Sequence, residues 1–104
     1  MFIHTFALRW VAGTTEEQKQ RAKREILALQ GKIAGLLATH VGENLSPRAK
    51  GTNFGGVMMF ADRAAFERYF SHPLHNELMA WLMPLVDPTE LDMEATTSTE
   101  EFKG

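Results

Sequence analysis

Histidine has an unperturbed pKa of about 6.5 and is the side chain best suited to moving protons near neutrality. This chain carries four, at positions 4, 40, 72 and 75, and one tyrosine, Tyr69. His4 alternates with Phe2, Phe6 and Leu8 in the segment FIHTFALRW, and in an extended strand those residues share one face. His75 sits beside Leu78 and Met79 on the apolar stripe expected of a helix. Both rings are therefore expected in one apolar layer, where a histidine pair could act as general acid and base. The same spacing fits two core histidines, each satisfied by a carbonyl or a neighbouring side chain. Tyr69 could donate a phenolic proton or hold a ligand oxygen, or serve as a core aromatic with a polar tip. His72, just before Pro73, reads as a structural turn residue and His40 as ordinary surface. The apolar residues expected to line a pocket around His75, His4 and Tyr69 are Phe6, Ile26, Met58, Leu78, Met79 and Leu82. Methionine, six times present, suits an adaptable lining and equally fills gaps.

Other chemistries lack their residues. The chain has no cysteine, which removes thiolate nucleophiles, disulfides and cysteine-based zinc or iron–sulfur sites. No H-x-x-x-H pair occurs, so no metal ligand is assigned. There is no phosphate loop, dinucleotide fingerprint or nucleophile elbow, since LSPRAKG has too few glycines, and no cofactor is expected.

The elements that must position these groups follow from periodicity. Met1 to Arg9 is a strand with two largely apolar faces, suited to cover on both sides. After Gly13, Thr14 with Glu17 reads as a capping box opening a helix, and Ala22, Ile26, Leu29 and Ile33 form its buried stripe. Gly31 and Gly35 bracket the helix exit. Leu36 to Asn44 is a second strand, with Leu37, Thr39 and Val41 opposed to Leu36, Ala38 and His40. Leu45 to Asn53 is a loop, and Phe54 to Ala61 is a third strand. Within it Gly55 and Gly56 leave open volume, form a bulge or allow close packing of a second copy. Asp62 caps a short helix on which Ala65, Phe66 and Tyr69 share a face. Pro73 restarts a second helix that ends at Pro84. Leu85 to Glu94, interrupted by Pro88, is an edge strand.

This order predicts an α+β, ferredoxin-like βαββαβ domain over residues 1–95, with a flexible tail over 96–104. The 104 residues suffice for one core. Helices cover one face of the four-stranded antiparallel sheet; Ile3, Ala7, Val57 and Met59 line the other. An apolar sheet face of this kind is unusual on a monomer, so a homodimer through the open face is expected. A net charge of −2 with mixed signs gives no footprint for nucleic acid. No apolar run is long enough for a membrane, and the N-terminus has no signal-peptide pattern, so the expected location is cytoplasmic.

The motifs also resemble one family. The features are the histidine-bearing first strand, G-T-x-E-E at the helix opening, G-K-I-x-G before the second strand and the V-G-x-N-L-S-P-R-x-K-G loop. Tyr69 to His75 as Y-x-x-H-P-x-H, and the L-x-P-L-V ending, complete the set. From Ile3 to about Glu94 the chain resembles the stress-responsive α/β-barrel, or Dabb, domain. The resemblance implies ferredoxin-like subunits paired into a dimeric α/β barrel. It also implies varied functions, since members include plant stress proteins, a plant polyketide cyclase and many bacterial proteins without assigned activity. In the cyclase the pocket histidines and tyrosine match His4, His75 and Tyr69. A further cyclase tyrosine in the first helix falls at Ile26 here, which argues against the same cyclisation. The expectation is a dimeric protein binding a small apolar or phenolic ligand, with His75, His4 and Tyr69 handling a proton on a carbonyl or phenol. The alternatives are a non-catalytic stress or interaction protein and, by fold analogy, a cofactor-free monooxygenase.

Overall fold

The alternation of Phe2, His4, Phe6 and Leu8 with Ile3, Thr5 and Ala7 produces the central strand of the molecule. In the computed structural model, which describes residues 1–100, β1 (Phe2–Trp10) lies between β3 (Phe54–Phe60) and β4 (Val86–Glu94), and β2 (Leu36–Glu43) pairs with β3. The sheet order is β2-β3-β1-β4 and every neighbouring pair is antiparallel. Three helices, α1 (Glu16–Leu27), α2 (Arg63–Phe70) and α3 (Pro73–Leu82), complete the βαββαβ order, with α2 and α3 as the two halves of the second helical unit. Residues 96–100 of the expected tail have no regular secondary structure, and 101–104 lie outside the described residues. No helix among the described residues is long and apolar enough to cross a membrane.

The core is the layer between sheet and helices. Phe2, Leu8, Met58 and Phe60 from the sheet meet Ala22 and Ile26 of α1, Ala65 and Tyr69 of α2, and Leu78 and Leu82 of α3. Val86 closes it at the start of β4. Trp81 ties α3 to α1: its ring lies 4.0 Å from the Arg21 guanidinium and its indole N–H donates to Glu25 at 3.2 Å.

Four local expectations need correction. The capping box uses Thr15 and Gln18, not Thr14 and Glu17, because the Thr14 hydroxyl donates to the Val11 carbonyl at 2.7 Å and closes the preceding turn. α1 stops at Leu27, so Leu29 and Ile33 are buried from the turns that follow it. The chain then passes Gly35, at φ +82°, where a Cβ would lie 2.6 Å from that of Ala65, so this turn packs on α2 only with glycine there. A register shift between Leu36 and Ala38 places Leu36 opposite buried Phe60, with Thr39 and Val41 and not with Ala38 and His40. Finally, β3 runs without a bulge at Gly55 and Gly56, in continuous register with both neighbours.

Gly56 instead makes room for a neighbouring ring. It stands opposite Phe6, and a Cβ there would lie 2.4 Å from Phe6 Cζ and 2.6 Å from the His40 carbonyl oxygen. Gly42 has nothing within 4 Å of the equivalent position. Gly56→Ala is therefore expected to cost about 1–3 kcal/mol through overpacking, while Gly42→Ala stays within about 0.5 kcal/mol of wild type. Urea denaturation of the two variants checks this contrast.

Candidate acid–base site

Two helix caps build the corner in which the functional side chains meet. Asp62 accepts the Ala65 N–H at 2.8 Å and starts α2; His72 Nδ1 accepts the Leu74 N–H at 3.0 Å and, with Pro73 in the first turn, starts α3. The turn at Ser71 and His72 is decisive for geometry. In one continuous helix, residues 69 and 75 would stand about 9 Å apart along the axis and about 120° apart around it. With the chain broken there, the Tyr69 and His75 rings meet edge to face at 4.8 Å between centroids. From the sheet, His4 brings its ring to 6.4 Å from Tyr69 and 5.2 Å from Phe66.

These three polar groups line one small cavity, of about 40 Å³, between the sheet and α3. Phe6, Ile26, Met58, Leu78, Met79 and Leu82 line the same cavity, so every site residue expected from the sequence is brought to one place. Of the remaining histidines, His72 is the α3 cap and His40 is exposed on β2. Among the described residues no group of three histidine, aspartate or glutamate side chains is arranged to hold a metal.

His4 is buried and its Nδ1 is hydrogen-bonded to Asp92 Oδ1, on the residue directly opposite in β4. A carboxylate only accepts, so Nδ1 donates, and in the neutral ring the lone pair then resides on Nε2. Asp92 thus fixes the tautomer and orientation of His4. His75 is held differently. Its Nδ1 is fully buried and has no hydrogen-bond partner among the described residues. Burial, followed by the nearby His4, pushes its pKa below the usual histidine value, against the opposing pull of Asn76 and the Phe70 backbone. The ring is neutral at physiological pH. Tyr69 is shifted the other way: burial first, then the Glu90 carboxylate, raises its phenol well above the ordinary value. It remains a proton-bearing donor throughout the physiological range. The cavity therefore holds a neutral base with an idle nitrogen, a fixed phenol donor and a histidine oriented by a carboxylate.

Two residues of this constellation were missed in the sequence. Asp92 and Glu90 lie in β4, whose buried-facing row is set by its pairing with β1: Glu90 is opposite Phe6 and Asp92 opposite His4. The segment is mostly exposed and polar, so its own pattern announces no inner face. The available signal was the i, i+2 spacing of Glu90 and Asp92 on an expected strand.

A four-stranded antiparallel sheet with helices in this order defines a ferredoxin-like α+β protein. The sequence profile of the stress responsive A/B barrel domain matches residues 3–95, and the chain belongs to that family, known as Dabb. No significant match is found among curated proteins. Solved structures share the fold at low identity. The Arabidopsis thaliana protein At3g17210 superposes with a TM-score of 0.85 at 19% identity, covering 96% of this chain and 100% of that one. The hydroxynitrile lyase of Passiflora edulis gives 0.85 at 18% identity, covering 95% and 96% of the two chains. A dimeric ferredoxin-like protein of unknown function from Thermobifida fusca gives 0.79 at 22%, covering 90% of each.

The lowered His75 pKa has a thermodynamic consequence of definite sign. Below the ordinary histidine pKa of about 6.5, the unfolded chain takes up a proton at this position that the native ring resists, so the contribution of His75 to stability falls as the pH drops. Denaturation curves of wild type and His75→Gln between pH 8 and pH 5 check this: the wild type should lose more stability on acidification. Equal pH slopes would show that the native ring titrates normally.

Proposed function

We propose that this protein is a homodimeric small-molecule-binding protein whose cavity carries out acid–base chemistry on a carbonyl or phenolic ligand, without a cofactor. The observation that carries the reading is the buried, unpartnered Nδ1 of His75, in a cavity shared with Tyr69 and the Asp92-held His4. A buried polar atom without a partner costs about 1–3 kcal/mol, and that cost is recovered when a ligand supplies the missing hydrogen bond. The presence of a hydroxynitrile lyase among the structural neighbours supports an acid–base use of such a cavity.

In this mechanism a ligand oxygen lies against the Tyr69 hydroxyl, which donates to it and disperses negative charge as the proton leaves. His75 accepts the proton. His4, with Nδ1 committed to Asp92, offers Nε2 as a second proton acceptor or, once protonated, as the acid that returns it. Ile26, 3% exposed in the cavity wall, supplies no additional phenol. A space of about 40 Å³ holds little more than a water, so a ring-sized ligand is admitted by displacement of Met79 and Met83, unbranched side chains of low torsional cost.

Dimerisation uses the sheet face opposite the helices. Ile3, Ala7, Val57 and Met59 are partly exposed there, joined by Leu91 at 59% and Met93 at 37%. Burying such a patch against its twofold copy removes apolar surface from water. The dimeric neighbour from Thermobifida fusca supports this assembly. The cysteine-free, mixed-charge sequence fits a reducing cytoplasmic setting without nucleic-acid or membrane partners.

Thermal shift with phenolic and β-keto compounds tests the cavity. At a ligand concentration about 100 times Kd, the native state gains about 2.7 kcal/mol; the resulting rise in Tm is expected for wild type and absent for His75→Ala. Equal rises in both proteins, or a destabilised variant with no ligand response in either, would leave His75 a structural residue. Independently, sedimentation equilibrium should give twice 11.7 kDa for wild type and 11.7 kDa for Met59→Glu.

A further inference from the structure

Charge is distributed unevenly around the cavity and its approach. The cavity lining contains no lysine or arginine, and its one full charge is Glu90, exposed on β4 opposite Phe6. Glu90 also belongs to a second, larger depression of about 730 Å³ between β4 and α2. Phe2, Phe66 and Phe70 give that groove an aromatic wall, and Glu67, Glu90, Asp92 and Glu94 give it carboxylates. Its lone cation, Arg63, is paired with Glu67 at 3.1 Å, and Asp92 is engaged by His4, which leaves Glu90 and Glu94 without an ion-pair partner among the described residues. Glu90 thus stands where the groove meets the cavity.

We infer that Glu90 is a charge filter at the cavity mouth that excludes anionic ligands and restricts the site to uncharged or cationic molecules. The inference rests on the cavity reading above and narrows its substrate class: neutral carbonyl and phenolic compounds fit, whereas carboxylates and acidic carrier-bound thioesters do not. The physical basis is Coulombic. An anion approaching the mouth meets a fixed carboxylate with low-dielectric aromatic and methionine surface around it, where repulsion is screened less than in open water. Glu90 and Tyr69 line the same cavity, and the carboxylate adds, after burial, to the rise of the phenol pKa.

Glu90 can be tested without knowing the ligand, because the chain has no cysteine and histidine alkylation is readable by peptide mass spectrometry. Iodoacetamide and iodoacetate are nearly the same size and differ in charge. The measured quantity is the ratio of their alkylation rates at His75, normalised to free N-acetylhistidinamide in the same solution. In wild type the normalised ratio should favour iodoacetamide by about 3- to 10-fold, the range expected for one partly screened charge. Glu90→Gln should bring it within about twofold of unity, and 0.5 M NaCl should shrink the wild-type preference. A ratio near unity in wild type, a preference retained in Glu90→Gln, or protection of His75 from both reagents would overturn the filter. Failure of the functional reading shows elsewhere, as ligand stabilisation that survives His75→Ala.

Discussion

The pairing of β1 with β4 is the contact on which the rest of the molecule turns. It joins the two ends of the chain, placing Phe2 against Glu94 and Trp10 against Val86, and it encloses β1 between two partners. Because side chains alternate along a strand, this register places His4 and Asp92 on the same face at the same level. A slip of one residue would bring Asp92 to the opposite face and leave a buried imidazole without its acceptor. The alignment that closes the sheet is therefore the one that prepares His4, and folding and site assembly are one event.

The helical side obeys a complementary logic. Tyr69 and His75 meet because the chain is interrupted at Ser71 and His72, and the interruption is held by an imidazole cap and a proline. His72 directs its Nδ1 to the backbone N–H of Leu74, while the Nδ1 of His75 has no hydrogen-bond partner among the described residues. Only three positions separate the histidine that caps α3 from the one that lines the cavity. What distinguishes them is the fate of a single nitrogen in each ring.

Much of this was legible in the sequence because it is encoded locally. The alternation in β1 marks the inward face of His4, the Asp62 and Pro73 signals mark the helix starts, and Leu78 and Leu82 mark the side of α3 that carries the cavity wall. Dabb-like motifs reinforced the same assignment. What escaped depends on long-range pairing. Glu90 and Asp92 acquire an inner face only through β1, more than 80 positions earlier, and Leu36 is turned inward by a register shift that its own strand pattern does not announce. The choice of Thr15 over Thr14 as cap rests on a hydroxyl already engaged with Val11, a competition between two adjacent residues of equal propensity.

The acidic row of β4 carries a second obligation. β4 is an edge strand, and edge strands offer unpaired backbone groups on which another chain can add itself. Pro88 withholds a donor, and Glu90, Asp92 and Glu94 line the strand with like charge, which would face like charge in a second copy of β4 docked there. The residues that orient His4 and border the cavity thus also guard the protein against fibril-like association. A substitution that neutralises this row would therefore remove charge at the very edge where strand addition begins.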